Sequence, residues 1–301
     1  MTRFRAALAL VACLAVPSSA IGGENYALIV SGASGGEVYA KKYDGWRDRL
    51  ATTLTSTFGY TRDHVVSLRE ATRAQVEQAI RGLRARVSAD DLLFVALIGH
   101  GTGEKFNLVG PDMTAAEWAA QLKAMPGRLV VVDMTSSSLP FLRPLAAPGR
   151  IVITATALPA QEFETIFPEF FIPALTDPSA DTNKDGRVSL LEAFVSASAQ
   201  VRTWFDQNNR LPTERALLDD DGDGVGREAP DPSPDGAVAA VTYLQPRPVP
   251  AGDETARREA EIESQIDALK SRRSTVAPAA YDAEMERLLT ELARLSSRRA
   301  R

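Results

Sequence analysis

The chain of 301 residues is 45% hydrophobic and 24% charged, enough for one sizeable core with an appendage. A net charge of −5 with no basic stripe to neutralise phosphates argues against nucleic acid as a partner. No apolar run reaches the roughly 20 residues that a membrane-spanning helix needs.

Residues 1–20, MTRFRAALALVACLAVPSSA, read as an export signal: Arg3 and Arg5 at the start, an apolar centre over 6–16, and a small-residue cleavage site at Ser18-Ser19-Ala20. The expectation is an exported protein, periplasmic or secreted. The lipobox-like Leu10-Val11-Ala12-Cys13 leaves a lipid anchor at Cys13 as the alternative. Cys13 is the single cysteine, so cleavage after Ala20 removes every thiol, and with it any disulfide or cysteine nucleophile.

From residue 25 to about 157, short apolar runs alternate with amphipathic stretches. NYALIVSGA, HVVSLR, DLLFVALIGHG, RLVVVDMT and RIVITATA are nearly continuous Val/Ile/Leu runs, the pattern of strands covered on both faces. WRDRLATTLTSTF, TRAQVEQAIRGLRARV and TAAEWAAQLKAM have helical spacing, with Thr72 and Thr114 as N-caps and Glu117 completing a capping box. Repeated βαβ units predict an α/β fold with a mostly parallel sheet and ligands gathered at its C-terminal edge.

Beyond residue 160, EFETIFPEFFIPAL predicts a helix broken or bent by Pro168 and Pro173, and SLLEAFVSASAQVRTWFDQ a clear amphipathic helix. Residues 219–236 are acidic and rich in breakers, hence a loop. Residues 21–244 are expected to form the main domain, 245–253 (QPRPVPAGD) a stiff linker, and 254–301 a helical hairpin. Ile262, Ile266 and Leu269 stripe the first hairpin helix; Met285, Leu288, Leu292 and Leu295 stripe the second, with Pro278 in the turn. Such a hairpin either packs on itself and the domain or contacts a partner or second copy.

Two strand ends carry candidate chemistry. LIGHGTG places His100 between glycines, where it could act as a base and the Gly101 N–H could face an oxyanion. VVVDMTSSS ends its strand in Asp133, followed by Thr135 and Ser136 to Ser138, any of which could supply a hydroxyl. His64, at another strand's start, reads as an ordinary polar cap.

DTNKDGRVSLLE, 181–192, matches a twelve-residue EF-hand loop position by position. Asp181, Asn183 and Asp185 stand at positions 1, 3 and 5, Gly186 at the turn, and Arg187 offers its carbonyl at 7. Ser189 is at 9 and Glu192 at 12, where a bidentate carboxylate belongs. Calcium binding is expected there. A weaker second site is signalled by Asp219, Asp221 and Asp223 with Gly224; its twelfth position is Pro230, so it would have to borrow a ligand such as Glu228 or be a solvated turn.

On NYALIVSGASGG, LIGHGTG, VVVDMTSSS and RIVITATALPAQEFE, over roughly residues 25–245, the chain resembles the caspase–legumain group of cysteine peptidases, most closely a bacterial, secreted, legumain-like branch. The resemblance implies a caspase-like three-layer sandwich, His100 as general base, and a catalytic cysteine after an Asp-small pair. Thr135 stands at that cysteine's position, and Ser138 or Leu139 replaces the family's following glycine. A similar calcium loop precedes the last core helix of the bacterial relatives. The expectation is therefore an exported calcium-binding pseudo-peptidase whose cleft holds a peptide or envelope protein. The alternative is an active hydrolase using Thr135 or one of Ser136 to Ser138, with His100 as base.

Overall fold

The computed structural model describes residues 23–158, 164–231, 233–247, 252–273 and 275–299; the expected export signal with Cys13 and residues 248–251 of the expected linker lie outside them. The chain runs β1 (Asn25–Ser31), α1 (Glu37–Thr52), β2 (Val65–Leu68), α2 (Arg73–Arg84) and β3 (Leu92–Ile98). Three two-residue strands follow, β4 (Gly101–Thr102), β5 (Lys105–Phe106) and β6 (Met113–Thr114). Next come α3 (Ala115–Leu122), β7 (Arg128–Asp133), α4 (Leu139–Leu145), β8 (Arg150–Thr154), α5 (Phe167–Ala174) and α6 (Leu190–Gln207). β9 (Leu217–Asp219) and β10 (Arg227–Glu228) complete the large sheet, and α7 (Glu254–Ser271) with α8 (Pro278–Arg299) ends the chain.

The large sheet has the order β10-β9-β8-β7-β3-β1-β2. Its five long apolar runs are mutually parallel, and β9 lies antiparallel to both β8 and β10. Successive side chains leave opposite faces of a strand. Ala27, Ile29, Phe94, Ala96, Val130 and Val132 therefore pack beneath α1, α5 and α6. Leu28, Val30, Leu93, Val95 and Val131 pack against α2, α3 and α4. All seven residues of β3 are buried, as two covered faces require. Each such Leu, Val or Phe contributes roughly 1.5–3 kcal/mol by leaving water. The result is the expected α/β three-layer sandwich, consistent with a caspase-like arrangement, plus a helical pair.

Local signals set most helix starts. Thr72 with Gln75, Thr114 with Glu117, and Ser189 with Glu192 form reciprocal capping boxes. α1 begins nine residues before Trp46 and ends in a π-helical turn at Thr53–Thr57. Pro168 lies in the first turn of α5 and so opens that helix rather than breaking it. Glu214 accepts hydrogen bonds from the Ile166 and Phe167 N–H groups at that start.

In the hairpin, Ile262, Ile266, Leu269 and Leu288 form a small core of their own, flanked by Met285, Leu292 and Leu295. It is tied to the domain by ion pairs from Arg187 to Asp267 at 2.8 Å and from Arg272 to Asp90 at 3.1 Å. Among the described residues, no helix is long and apolar enough to cross a membrane.

Candidate functional site

The β3 and β7 strands are neighbours in the sheet, so their C-terminal ends bring the His100 turn against the Thr135–Ser138 turn. The approach is close: a Cβ on Gly101 would lie 2.2 Å from the Ser136 carbonyl oxygen, which only glycine permits. The Gly101 N–H donates to Ser136 Oγ at 3.1 Å, and that hydroxyl lies 3.3 Å from the Gly101 carbonyl. The donor expected to face an oxyanion is thus engaged inside the protein.

Thr135 occupies the seat of the expected nucleophile, with no exposed surface. Its hydroxyl donates to Asp133 Oδ1 at 2.6 Å, and its N–H donates to the same oxygen at 3.0 Å. Ser138 and Thr156 bond each other through their hydroxyls at 3.0 Å, and the Oγ atoms also accept from each other's backbone N–H. Ser136 and Ser137 are equally buried. Every hydroxyl of the turn is enclosed.

His100 takes a different partner. Its Nε2 shares a 2.9 Å hydrogen bond with the Tyr43 hydroxyl. Tyr39 packs edge-on to the imidazole with centroids 4.8 Å apart. Both tyrosines come from α1 at i, i+4 spacing, which puts them on one helix face. Burial pushes the His100 imidazole below its usual value, opposed by the charge of Glu164. Asp133 is pushed up to about 7 by burial, although Thr135's two hydrogen bonds work the other way. Its Oδ2 has no hydrogen-bond partner. The structure brings His100, Gly101, Asp133, Thr135 and Ser136 together at one sheet edge, but as a locked cluster without a His100–Thr135 bond. His64 stacks on Tyr26 with centroids 4.1 Å apart.

The EF-hand-like loop is turned by its own carboxylates. Asp181 accepts from the Asp185 and Gly186 N–H groups, Asn183 Oδ1 from Asp185, and Asp185 Oδ1 from Arg187. Gly186 holds a φ of +84° at the sharp bend. Glu192 reaches back to accept from the N–H groups of Thr182 and Asn183 at 3.0 and 3.1 Å. Burial works against its charge, but the bonds from Ser189, Asn183 and Thr182 outweigh it and hold the carboxyl below its usual value. Val188 is buried, and Ser189 forms a β-bridge to Tyr243.

Two features here were not read from the sequence. The Arg187 side chain, 3% exposed, lies over the Tyr243 ring at 3.5 Å and pairs with Asp267 of α7, so the residue expected to lend a carbonyl also anchors the hairpin. Tyr243 donates to Asp185 Oδ2 at 2.7 Å.

The second acidic loop gathers more tightly. Among the described residues, Asp219, Asp221 and Asp223 form a group in which one carboxylate oxygen from each lies within 4.8 Å of the others. Glu228, suggested as a borrowed ligand, instead pairs with Arg215 at 3.0 Å. Oxygen-only donor sets of this kind suit hard cations such as Ca2+.

A cavity of about 700 Å³ lies between the hairpin and the opposite sheet edge, lined by residues including Asn25, Asp91, Arg128 and Asp267. It does not include His100. Compared with known proteins, the chain matches no family model and no curated protein.

Proposed function

We propose that this protein is an exported, calcium-binding, legumain-like pseudo-peptidase that acts as a binding or scaffold module. One observation carries the reading: the Thr135 hydroxyl, at the nucleophile's position, is fully enclosed and donates to Asp133 rather than to His100. A nucleophile needs access to substrate and a base that takes its proton, and here the hydroxyl is closed off and bonded to Asp133 instead of the expected base His100. The His100 bond to Tyr43 further supports it, since the imidazole already has a partner. Tyr39, 38% exposed beside His100, offers an aromatic wall for a peptide segment of a partner such as an envelope protein. Export rests on the pattern of residues 1–20, and calcium on the oxygen-rich loop at 181–192. Self-association through the hairpin would have to use the outer face of α8, where Leu289 is half exposed, because the apolar stripe is spent within the pair.

The test is peptide-library hydrolysis by the purified chain from residue 21 onward, with calcium and with chelator, beside His100→Ala. No cleavage by folded protein in either form is expected. Cleavage that disappears in His100→Ala would overturn the reading in favour of a hydrolase using Thr135 or one of Ser136 to Ser138.

A further inference from the structure

The acidic turn after β9 shares three hydrogen bonds with the first seven positions of the 181–192 loop and differs in one: Asp181 Oδ1 accepts from position 5, Asp185, whereas Asp219 Oδ1 accepts from position 4, Gly222. The position-1 carboxylate accepts from the position-6 glycine in both: Asp181 from Gly186 at 2.9 Å, Asp219 from Gly224 at 2.7 Å. Position 3 accepts from the N–H of position 5: Asn183 from Asp185, Asp221 from Asp223, at 2.8 and 2.9 Å. Position 5 accepts from position 7: Asp185 from Arg187, Asp223 from Val225, at 2.9 and 2.6 Å. Gly186 and Gly224 hold nearly the same φ, +84° and +77°.

The parallel then continues through a residue that spacing does not suggest. In the first loop, Glu192 Oε1 accepts from the N–H groups of positions 2 and 3. In the second, Asp235 Oδ1 accepts from the same two positions, Asp220 and Asp221, at 3.0 and 3.3 Å. Asp235 is 6% exposed, and its other oxygen, Oδ2, has no hydrogen-bond partner. A buried carboxylate oxygen without a donor costs free energy unless something cationic meets it. Its Oδ1, bonded to the Asp220 and Asp221 amides, seats the carboxylate against the loop that carries the three aspartates.

Its position is fixed by a reciprocal clamp. The buried Asp220 carboxylate accepts from the N–H groups of Gly236, Val238 and Ala239 at 2.9, 2.8 and 2.7 Å. Asp235 and Asp220 therefore hold each other's segments, which seats Asp235 beside the loop before any ion arrives.

We infer that the second acidic loop is a complete calcium site, formed by Asp219, Asp221 and Asp223, the Val225 carbonyl and, in place of the missing twelfth residue, Asp235. This goes beyond the 181–192 loop and does not depend on it. The four carboxylates and a carbonyl are hard oxygen donors, and the loop turns like a calcium loop, so Ca2+ is the cation it would take.

The experiment is calorimetric titration of the metal-free full chain with Ca2+, counting equivalents. Asp223→Asn and Asp235→Asn should each remove one equivalent or weaken it at least tenfold, and the double variant should lose no more than either. Asp185→Asn should affect a different equivalent, so failure of the first loop is read separately. Asp223 is exposed, so its replacement does not threaten the fold. Without any substitution, Ca2+ should shift the amide resonances of Asp220 and Asp221, the donors to Asp235. An unchanged number and affinity of bound Ca2+ in Asp235→Asn, or unmoved Asp220 and Asp221 amides on saturation, would overturn the assignment.

Discussion

The turn after β7 and the acidic loop after β9 are both short polar segments at a strand end, yet they use their polar atoms in opposite ways. Thr135 and Ser138 bond to the protein itself, and with Ser136 and Ser137 they lie out of reach of water. In the loop, Asp219, Asp221 and Asp223 accept from the backbone N–H groups of Gly222, Asp223 and Val225 to build the turn, while one oxygen from each lies within 4.8 Å of the others. Residue type at a strand end therefore does not make a site. What counts is whether any donor or acceptor is left over once the turn has been built.

Removing calcium tests the open side of this comparison and should have the largest effect. If the loops hold ions at about 100 times their dissociation constant, each contributes roughly 2.7 kcal/mol. Excess chelator should then lower Tm by on the order of 5–10 °C or more in differential scanning calorimetry. An unchanged Tm would remove the contrast.

The closed side is sharpened by pH. Asp133 binds its proton more tightly folded, near 7, than its ordinary value of 3.8, so the folded state holds more protons between those values. Stability should fall as pH rises through that window, by on the order of 4 kcal/mol for this group. Glu214, likewise pushed up to about 7 by burial despite its bonds from Ile166 and Phe167, adds to the same trend. Asp133→Asn should flatten the slope in urea melts between pH 4 and 8. An identical slope would mean that Asp133 is not held in the protonated range.

Next in size is Gly101→Ala, which sets a methyl 2.2 Å from the Ser136 carbonyl. Overpacking of this kind typically costs about 1–3 kcal/mol, readable as a lower urea midpoint at constant m. The smallest effect belongs to Thr135→Val, which keeps the shape and loses the bond to Asp133, at about 1 kcal/mol. If that variant lost a hydrolytic activity as well, Thr135 would be catalytic and the comparison would collapse.

Four of the five parallel strands were legible because a strand covered on both faces must be apolar throughout, as in Leu92–Ile98; the edge strand β2, with no buried residue, showed only a short apolar run. Helical spacing made α2, α3 and α6 readable, helped by the N-caps at Thr72 and Thr114, while the capping boxes at Thr72 and Ser189 emerged only from the structure. α4 was hidden because LPFLRPL carries Pro140 and Pro144, and a proline in a first turn looks like a breaker until the start is known. Strands β4 to β6 and β9 to β10 have only two or three residues, too few for any periodicity. At the site, His100 and Thr135 were legible as residues but not as a pair, since Tyr43 lies on a helix whose first turns were not recognised. Its i, i+4 relation to Tyr39 was the available signal. Asp235 was missed because counting twelve positions ends on Pro230, whereas the chain supplies the carboxylate from further on.

The sheet order has one more consequence, for what the molecule does with its margins. A long bare edge strand is a template on which another chain can add a strand. Here the sheet ends on one side in the four residues of β2 and on the other in the two of β10, Arg227 and Glu228, both charged. An incoming strand would find few backbone groups to pair with at either margin, and at β10 it would meet an Arg and a Glu. The fold carries a broad apolar sheet through its centre while leaving little of it to be extended from outside.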